Sequence, residues 1–247
     1  MDRLIYVAMA GAQATFEQQA VTSHNLANLG TTGYKAESVA YRSAPVQGPG
    51  LPTRTYAVAT TTGADLASGS VQRTDRALDV AVQGDGFIAV QARDGSEAYT
   101  RDGSFDLDAE GQLQTRNGLP VLGDGGPIVI PPDSTVSIAK DGTISITTNG
   151  QSASNVTILG QIKLVNPGRD NIVKGPDGLF RTRNGTPADS DPDVTVVSGS
   201  IESSNVNAVS SMVDMINLAR QFDLQMKLLQ DADGNSQRAT QLLATSG

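Results

Sequence analysis

Apolar residues recur at helical spacing only at the two ends of this 247-residue chain, and the long stretch between them alternates with a period of two. Near the N-terminus Ile5, Met9, Ala12 and Phe16 follow steps of 4, 3 and 4, a register continued by Gln19, Ser23 and Leu26 with no proline interrupting it. This spacing predicts a helix over 3–28, about 39 Å long at 1.5 Å per residue. Gly30 and Gly33, which bracket Thr31 and Thr32, are expected to end it by adopting the left-handed backbone common at helix C-termini. At the other end Met212, Met215, Ala219, Phe222, Met226 and Leu229 alternate steps of 3 and 4, the seam pattern of a coiled coil. Asp233, Ser236 and Thr240 carry the register in polar residues to Leu243. That predicts a second helix over 204–244, roughly 60 Å long, which Gly234 is expected to bend or weaken at a cost of about 1 kcal/mol.

Neither helix can bury its stripe alone. A pair within one chain would cover the shorter stripe and leave part of the longer one exposed, and exposed apolar surface of that kind marks contact with another chain. The spacing thus predicts an oligomer joined by its terminal helices, with the seam positions Ile5, Met9, Ala12, Phe16, Leu26, Met212, Met215, Ala219, Phe222, Met226 and Leu229 as the assembly interface.

Between the helices, Leu78, Val80 and Val82 alternate with smaller or polar residues, and short β-like runs follow at 87–90, 99–100, 105–107, 128–130, 143–146 and 156–165. Asp-Gly pairs begin at 85, 94, 102, 124, 141 and 177 and Asn-Gly pairs at 117, 149 and 184, the chemistry of tight hairpin turns. The region reads as an antiparallel all-β domain. Ala44–Pro52, with three prolines, cannot continue a helix or lie in a central strand. The expected organisation is mixed α and β: an N-terminal helix and turn over 1–33, an extended linker over 34–76, a central antiparallel β domain over 77–199 and a coiled-coil-like C-terminal helix over 200–247.

Composition removes whole classes of function. With 18 Lys plus Arg against 26 Asp plus Glu the net charge is −8, and a protein that binds nucleic acid needs clustered positive charge instead. There is no cysteine, so disulfides, zinc knuckles and thiol catalysis are excluded, and the single His24 leaves little metalloenzyme or triad chemistry. No run reaches the roughly 18 apolar residues of a membrane span, so membrane insertion is not expected. The apolar stretch Leu4–Ala12 resembles a weak signal peptide, but Asp2 spoils the positive flank and the helical pattern runs on past it, so it reads as the front of the first helix.

The motifs that could carry chemistry each have a plainer reading. Gly84, Gly86 and Ala89 fit a GxGxxA fingerprint, yet a strand rather than a helix follows, so a hairpin turn at Asp85-Gly86 is expected. Asp106, Asp108 and Glu110 occupy the first positions of a calcium loop, but position 12 is Asn117 and no helices flank it. The acidic run 189–194 contains Pro192 and reads as a solvated loop. Carboxylates for glycoside hydrolysis lie mostly beside glycine, where turns explain them, and no tryptophan platform accompanies them. No enzyme, cofactor or metal is expected.

Two segments nearly 175 residues apart are more specific. Asn25–Lys35 (NLANLGTTGYK) and Gly199–Ile216 (GSIESSNVNAVSSMVDMI), the latter followed by Arg220-Gln221-Phe222, resemble the terminal signatures of the bacterial flagellar axial proteins, the family of rod, hook and hook-associated components. The residues that carry the match are Asn25, Leu26, Asn28, Thr32, Gly33, Tyr34, Glu202, Ser204, Asn205 and Val206. Arg76–Phe87, Tyr99–Phe105 and Glu110–Leu113 resemble the β domain of the rod and hook subset. The resemblance implies a structural subunit of the flagellar basal-body rod in the periplasm, exported unfolded by the flagellar type III apparatus without a cleaved signal. Its partners would be other copies of itself and other rod proteins. Other readings are a distal rod or hook-type axial protein, a secreted β-rich adhesin with helical oligomerisation ends, and a peptidoglycan-acting enzyme.

Overall fold

A computed structural model describes residues 2–45, 55–148 and 156–245. They divide into two compact units, one built from the described parts of Met1–Ala27, Glu37–Gly63 and Asn207–Gly247, the other from Asn28–Ala36 and Ala64–Val206. Helices near the two ends flank a central antiparallel β region.

In the first unit helix α1 (Asp2–Ala27) packs against helix α2 (Ala208–Thr245). Asn207 starts α2 by accepting the Ser210 N–H on its side-chain oxygen at 3.0 Å, which satisfies one of the free donors of the first turn. The helix continues through Gly234 without a break. On α1 the buried positions are Ala12 and Thr15, and the Thr15 hydroxyl turns back onto the Gly11 carbonyl at 3.0 Å. Small residues here let the helices approach closely: a Cβ on Gly11 would press on the Gln225 side chain of α2. The segment expected as an extended linker carries two paired strands, Glu37–Pro45 and Thr55–Ala64. Their pairing supplies backbone partners that an isolated linker would lack, and the Tyr41 hydroxyl donates to the Ala14 carbonyl of α1 at 2.8 Å. Within Ala44–Pro52, residues 46–52 lie outside the described residues, as does the Asn149-Gly150 turn.

The second unit is built from short antiparallel strands. Its largest sheet has the order Leu164–Val165, Phe87–Gln91, Glu97–Thr100, Phe180–Thr182, Ile172–Lys174. The strand Phe87–Gln91 is covered on both faces, because period-two alternation sends Ile88 and Val90 into one core cluster and Phe87 and Ala89 into another. The larger cluster also takes Val80, Phe105, Leu113, Val121, Ile144, Ile162 and Val196. The β region closes on itself at its ends: Val80–Gln83 pairs with Thr195–Ser198, and Val71–Arg73 pairs with Ser200–Glu202. Residues 200–206, which periodicity grouped with the C-terminal helix, therefore belong to the β unit.

Three local expectations are corrected. Asp85-Gly86 does not close a hairpin, because Val80–Gln83 and Phe87–Gln91 pair with different partners; the left-handed residue at this turn is Gly84. Ile128–Ile130 forms no regular strand, since Pro127 precedes it and Pro131 and Pro132 follow, although Ile128 and Ile130 are in the core and Val129 bridges to Gln112. Of the two glycines expected to end the first helix, only Gly33 has a positive φ, at 66°. The Asp-Gly and Asn-Gly turns at 94, 117, 141, 177 and 184 do place glycine in the left-handed region.

Tyr99 in the smaller cluster is almost fully buried; its hydroxyl donates to Glu97 at 3.0 Å and accepts from the Ala188 N–H at 2.7 Å. Burial pushes its phenol up from 10.0 to about 12. A raised folded value means stability is fully present below the unfolded value and is lost as pH climbs. Equilibrium unfolding should therefore show stability falling between pH 10 and about 12, and Tyr99→Phe should flatten that limb; an unchanged slope would refute the assignment.

Candidate functional site

At the heart of the second unit three charged side chains from distant parts of the chain meet out of water. The Lys35 ammonium donates to Glu202 Oε1 at 2.7 Å, and Arg101 Nη1 donates to Glu202 Oε2 at 3.0 Å, each side chain being only 1% exposed. Further bonds hold the cluster, while the buried Arg101 Nε has no hydrogen-bond partner. Lys35 Nζ also donates to the Ala67 carbonyl at 2.9 Å, the Gly69 N–H donates to Glu202 Oε1 at 2.8 Å, and Arg101 Nη2 donates to the Gly84 carbonyl at 2.7 Å. The Arg101 guanidinium lies 5.1 Å from the centroid of the Phe87 ring, which ties the charges to the smaller core cluster. Burial pulls the Lys35 ammonium below its ordinary value, the Glu202 carboxylate opposes that, and neighbouring Arg101 adds to it.

Around this cluster the two motif-bearing segments are joined backbone to backbone. The Gly33 N–H donates to the Glu202 carbonyl at 2.7 Å, and Gly33 is wedged so tightly that a Cβ would strike the Arg101 and Asp102 backbone. Asn205 joins three strands of chain: its side-chain oxygen accepts from Ala36 N–H at 2.7 Å, and its amide donates to the carbonyls of Asp65 at 2.8 Å and Ala67 at 3.0 Å. Tyr34 accepts from the Asn205 N–H at 3.3 Å, and the Lys174 ammonium sits 4.0 Å above its ring. Asn28 takes the Thr31 hydroxyl at 3.1 Å, and Ser204 takes the Val206 N–H at 3.3 Å. Thr32, Val206 and Leu26 are half-buried. Asn25 acts in the first unit, where its amide exchanges two 2.8 Å bonds with the backbone of Glu37 at the end of α1; His24 Nδ1 meets the Glu37 carboxylate at 3.0 Å. Lys35 and Arg101, the cations of the cluster, lie inside the resembling segments Asn25–Lys35 and Tyr99–Phe105 without being among the residues that carry the match.

The helix positions separate into two sets. From the start of α2 to Ala232 the half-buried and buried residues are Ala208, Ser211, Met215, Leu218, Phe222, Gln225, Leu229 and Ala232, an unbroken 3–4 repeat. Of the sequence-assigned seam, Met215, Phe222 and Leu229 lie in this set, whereas Met212, Ala219 and Met226 are exposed one residue away from it. On α1 Ala12 is buried, Ile5 and Leu26 are half-buried, and Met9 and Phe16 are exposed at 52% and 63%. A second apolar stripe of α2, Val209, Met212, Val213, Ile216, Leu224 and Leu228, is exposed. The acidic motifs form turns: Asp108 accepts the N–H groups of Glu110 and Gln112, and Asp106 pairs with Arg76. Among the described residues no group of His, Asp or Glu could hold a metal ion, and no helix is long and apolar enough to cross a membrane.

This architecture has relatives. Residues 5–35 match the family described as flagella basal body rod protein, residues 81–146 the flagellar hook protein FlgE/F/G D1 domain, and residues 197–242 the flagellar basal body rod FlgEFG protein C-terminal region. The chain belongs to the flagellar basal-body rod protein family. Within it the chain is FlgF-like. It is 48% identical to flagellar basal-body rod protein FlgF of Escherichia coli K12 and 45% identical to that of Salmonella typhimurium LT2, over the whole of each chain. To FlgG of Buchnera aphidicola subsp. Acyrthosiphon pisum it is 32% identical over 96% of this chain and 98% of that one. It is a structural subunit of the flagellar rod, and the two motif segments at its buried ionic cluster both fall within matched regions.

Removing Glu202 leaves two cations facing each other without water or counter-charge. Glu202→Gln should destabilise the protein by roughly 3–5 kcal/mol, the range for breaking a buried pair from one side. A denaturant midpoint corresponding to less than about 1 kcal/mol would show that the cluster is solvated instead.

Proposed function

We propose that the subunit works as a structural part with no catalytic role, leaves the cytoplasm unfolded through the flagellar type III apparatus, and polymerises through its terminal helices. Its neighbours in the rod are copies of itself and other rod proteins. The observation that carries this reading is the division of α2 into two apolar faces. One face, through Met215, Leu218, Phe222 and Leu229, lies in the half-buried 3–4 repeat, while Val209, Met212, Val213, Ile216, Leu224 and Leu228 are left exposed beside it. On α1, Tyr6, Met9 and Phe16 are likewise exposed. Exposed apolar side chains gathered along one helix mark a contact with another surface, and methionine fits contacts with neighbours of differing shape because its side chain is unbranched and flexible. The interface residues read from sequence then fall into two roles. Met9, Phe16, Met212, Ala219 and Met226 face neighbouring subunits; Ile5, Ala12, Leu26, Met215, Phe222 and Leu229 hold the helices of one subunit. A chain without cysteine also suits unfolded passage followed by work in an oxidising periplasm, where stray thiols would cross-link.

The two roles are separable by experiment. Ile216→Asp and Met212→Asp place a charge on the exposed stripe, so the isolated subunit should keep its unfolding transition within about 0.5 kcal/mol, while rod assembly and swimming are lost because the charge is buried at the contact. Wild-type motility in both variants would overturn the assembly reading.

A further inference from the structure

The cluster around Glu202 ties together three of the four places where the chain crosses into or out of the β unit. The chain leaves that unit after Ala36, returns at Ala64 and leaves again after Val206. Asn205 alone binds both neighbours of the first two crossings, Ala36 through its oxygen and Asp65 through its amide, and the Asp65 N–H donates to the Ala36 carbonyl at 2.7 Å. Glu202 binds Lys35 on one side and Gly69 on the other, and the Ser203 N–H donates to the Ser70 carbonyl at 2.8 Å. Each of these partners lies within Asn28–Ala36 or Ala64–Val206, so no bond of the set requires α1 or α2 to be formed.

We infer that these residues form a clasp with two properties: it closes the β unit only when residues 200–206 are in place, and it holds those crossings shut whether or not the terminal helices are folded. Lys35 and Glu202 stand 167 residues apart in sequence, and until Glu202 arrives Lys35 would be a buried cation beside Arg101, a state that stays open to water. Once closed, the clasp is fastened by charge-assisted hydrogen bonds and by strand pairing of Val71–Arg73 with Ser200–Glu202. None of the bonds that fasten it is made by a residue of α1 or α2. This goes beyond the assembly reading and does not depend on it.

Native-state hydrogen exchange on the full chain tests the inference through amides of known partners. In the unmodified protein the N–H groups of Gly33, Ala36, Asp65, Gly69 and Ser203 should be protected with the β-core amides of Val80, Ala89 and Leu113. In Asn205→Ala, which keeps the buried charges paired, the Ala36 and Asp65 amides should exchange at least roughly tenfold faster while the Leu113 amide stays within about twofold. In Phe222→Asp, which loosens the helix pair, α1 and α2 amides should lose protection while the clasp amides keep their rates. The inference is overturned if the clasp amides exchange together with the helices in Phe222→Asp, or if Asn205→Ala accelerates clasp and core equally.

Discussion

A carboxylate held between two cations in the absence of water is the interaction on which the rest of this molecule depends. Glu202 cannot be buried without Lys35 and Arg101, and neither cation can be buried without it. Satisfying all three forces several backbone segments into one place: 33–36 at the exit from α1, 67–69 at the return, the Gly84 turn and strand 200–202. Those are the segments that close the β region. An apolar cluster at the same position would bury comparable area and could tolerate slipped pairings of the short edge strands, whereas a misplaced strand here strands a charge. For strands only three residues long, such as Val71–Arg73 and Ser200–Glu202, backbone pairing supplies little register of its own. Matched charge supplies it.

The helices are built on the opposite principle. Their buried and half-buried positions include Gly11, Thr15, Ser211 and Gln225, which are small or polar, beside Met215, Leu218, Phe222 and Leu229, and the Gln225 side-chain oxygen is buried without a hydrogen-bond partner. Such a seam brings backbones close while contributing modest apolar burial, so the pair is held less tightly than a leucine-rich seam of equal length would be. Meanwhile large apolar side chains, Met9, Phe16, Ile216, Leu224 and Leu228, point away from it. Under the proposed assembly this is the expected division, because side chains that must meet a neighbour cannot also be spent on the subunit's own fold.

Much of the layout could be read from residue spacing, and what was missed has identifiable causes. Helix α1 and five of the glycine turns were legible because period and turn chemistry are local properties. Along α2 hydrophobicity favours Met212 and Met226, but the half-buried positions are their neighbours Ser211 and Gln225, and a pattern based on apolarity cannot choose a serine over an adjacent methionine. The linker's strand pairing and the assignment of residues 200–206 to the β unit depend on partners far away in sequence, which no window detects. The ionic cluster is the extreme case. Glu202, Gly33 and Asn205 stand out through family resemblance, whereas Lys35 and Arg101 lie within resembling segments but nothing local marks a charge that will be buried by a partner 167 or 101 residues away.

The scarcity of aromatic residues gains a physical reading from where they lie. Phe87, Tyr99 and Phe180 form the smaller core cluster, with the Phe87 and Phe180 rings 5.1 Å apart and Arg101 over Phe87, and Tyr34 lies under Lys174 beside the clasp. Two of these rings, Phe87 and Tyr34, lie where a charged group must be covered, since an aromatic face shields a cation from water and attracts it at once. The larger cluster is filled by Val, Ile and Leu, with Phe105 its one ring, because thin antiparallel strands packed at short range leave room for branched aliphatics. Few aromatics therefore suffice for a subunit whose β unit is closed by ion pairing and whose helices leave part of their large apolar side chains exposed.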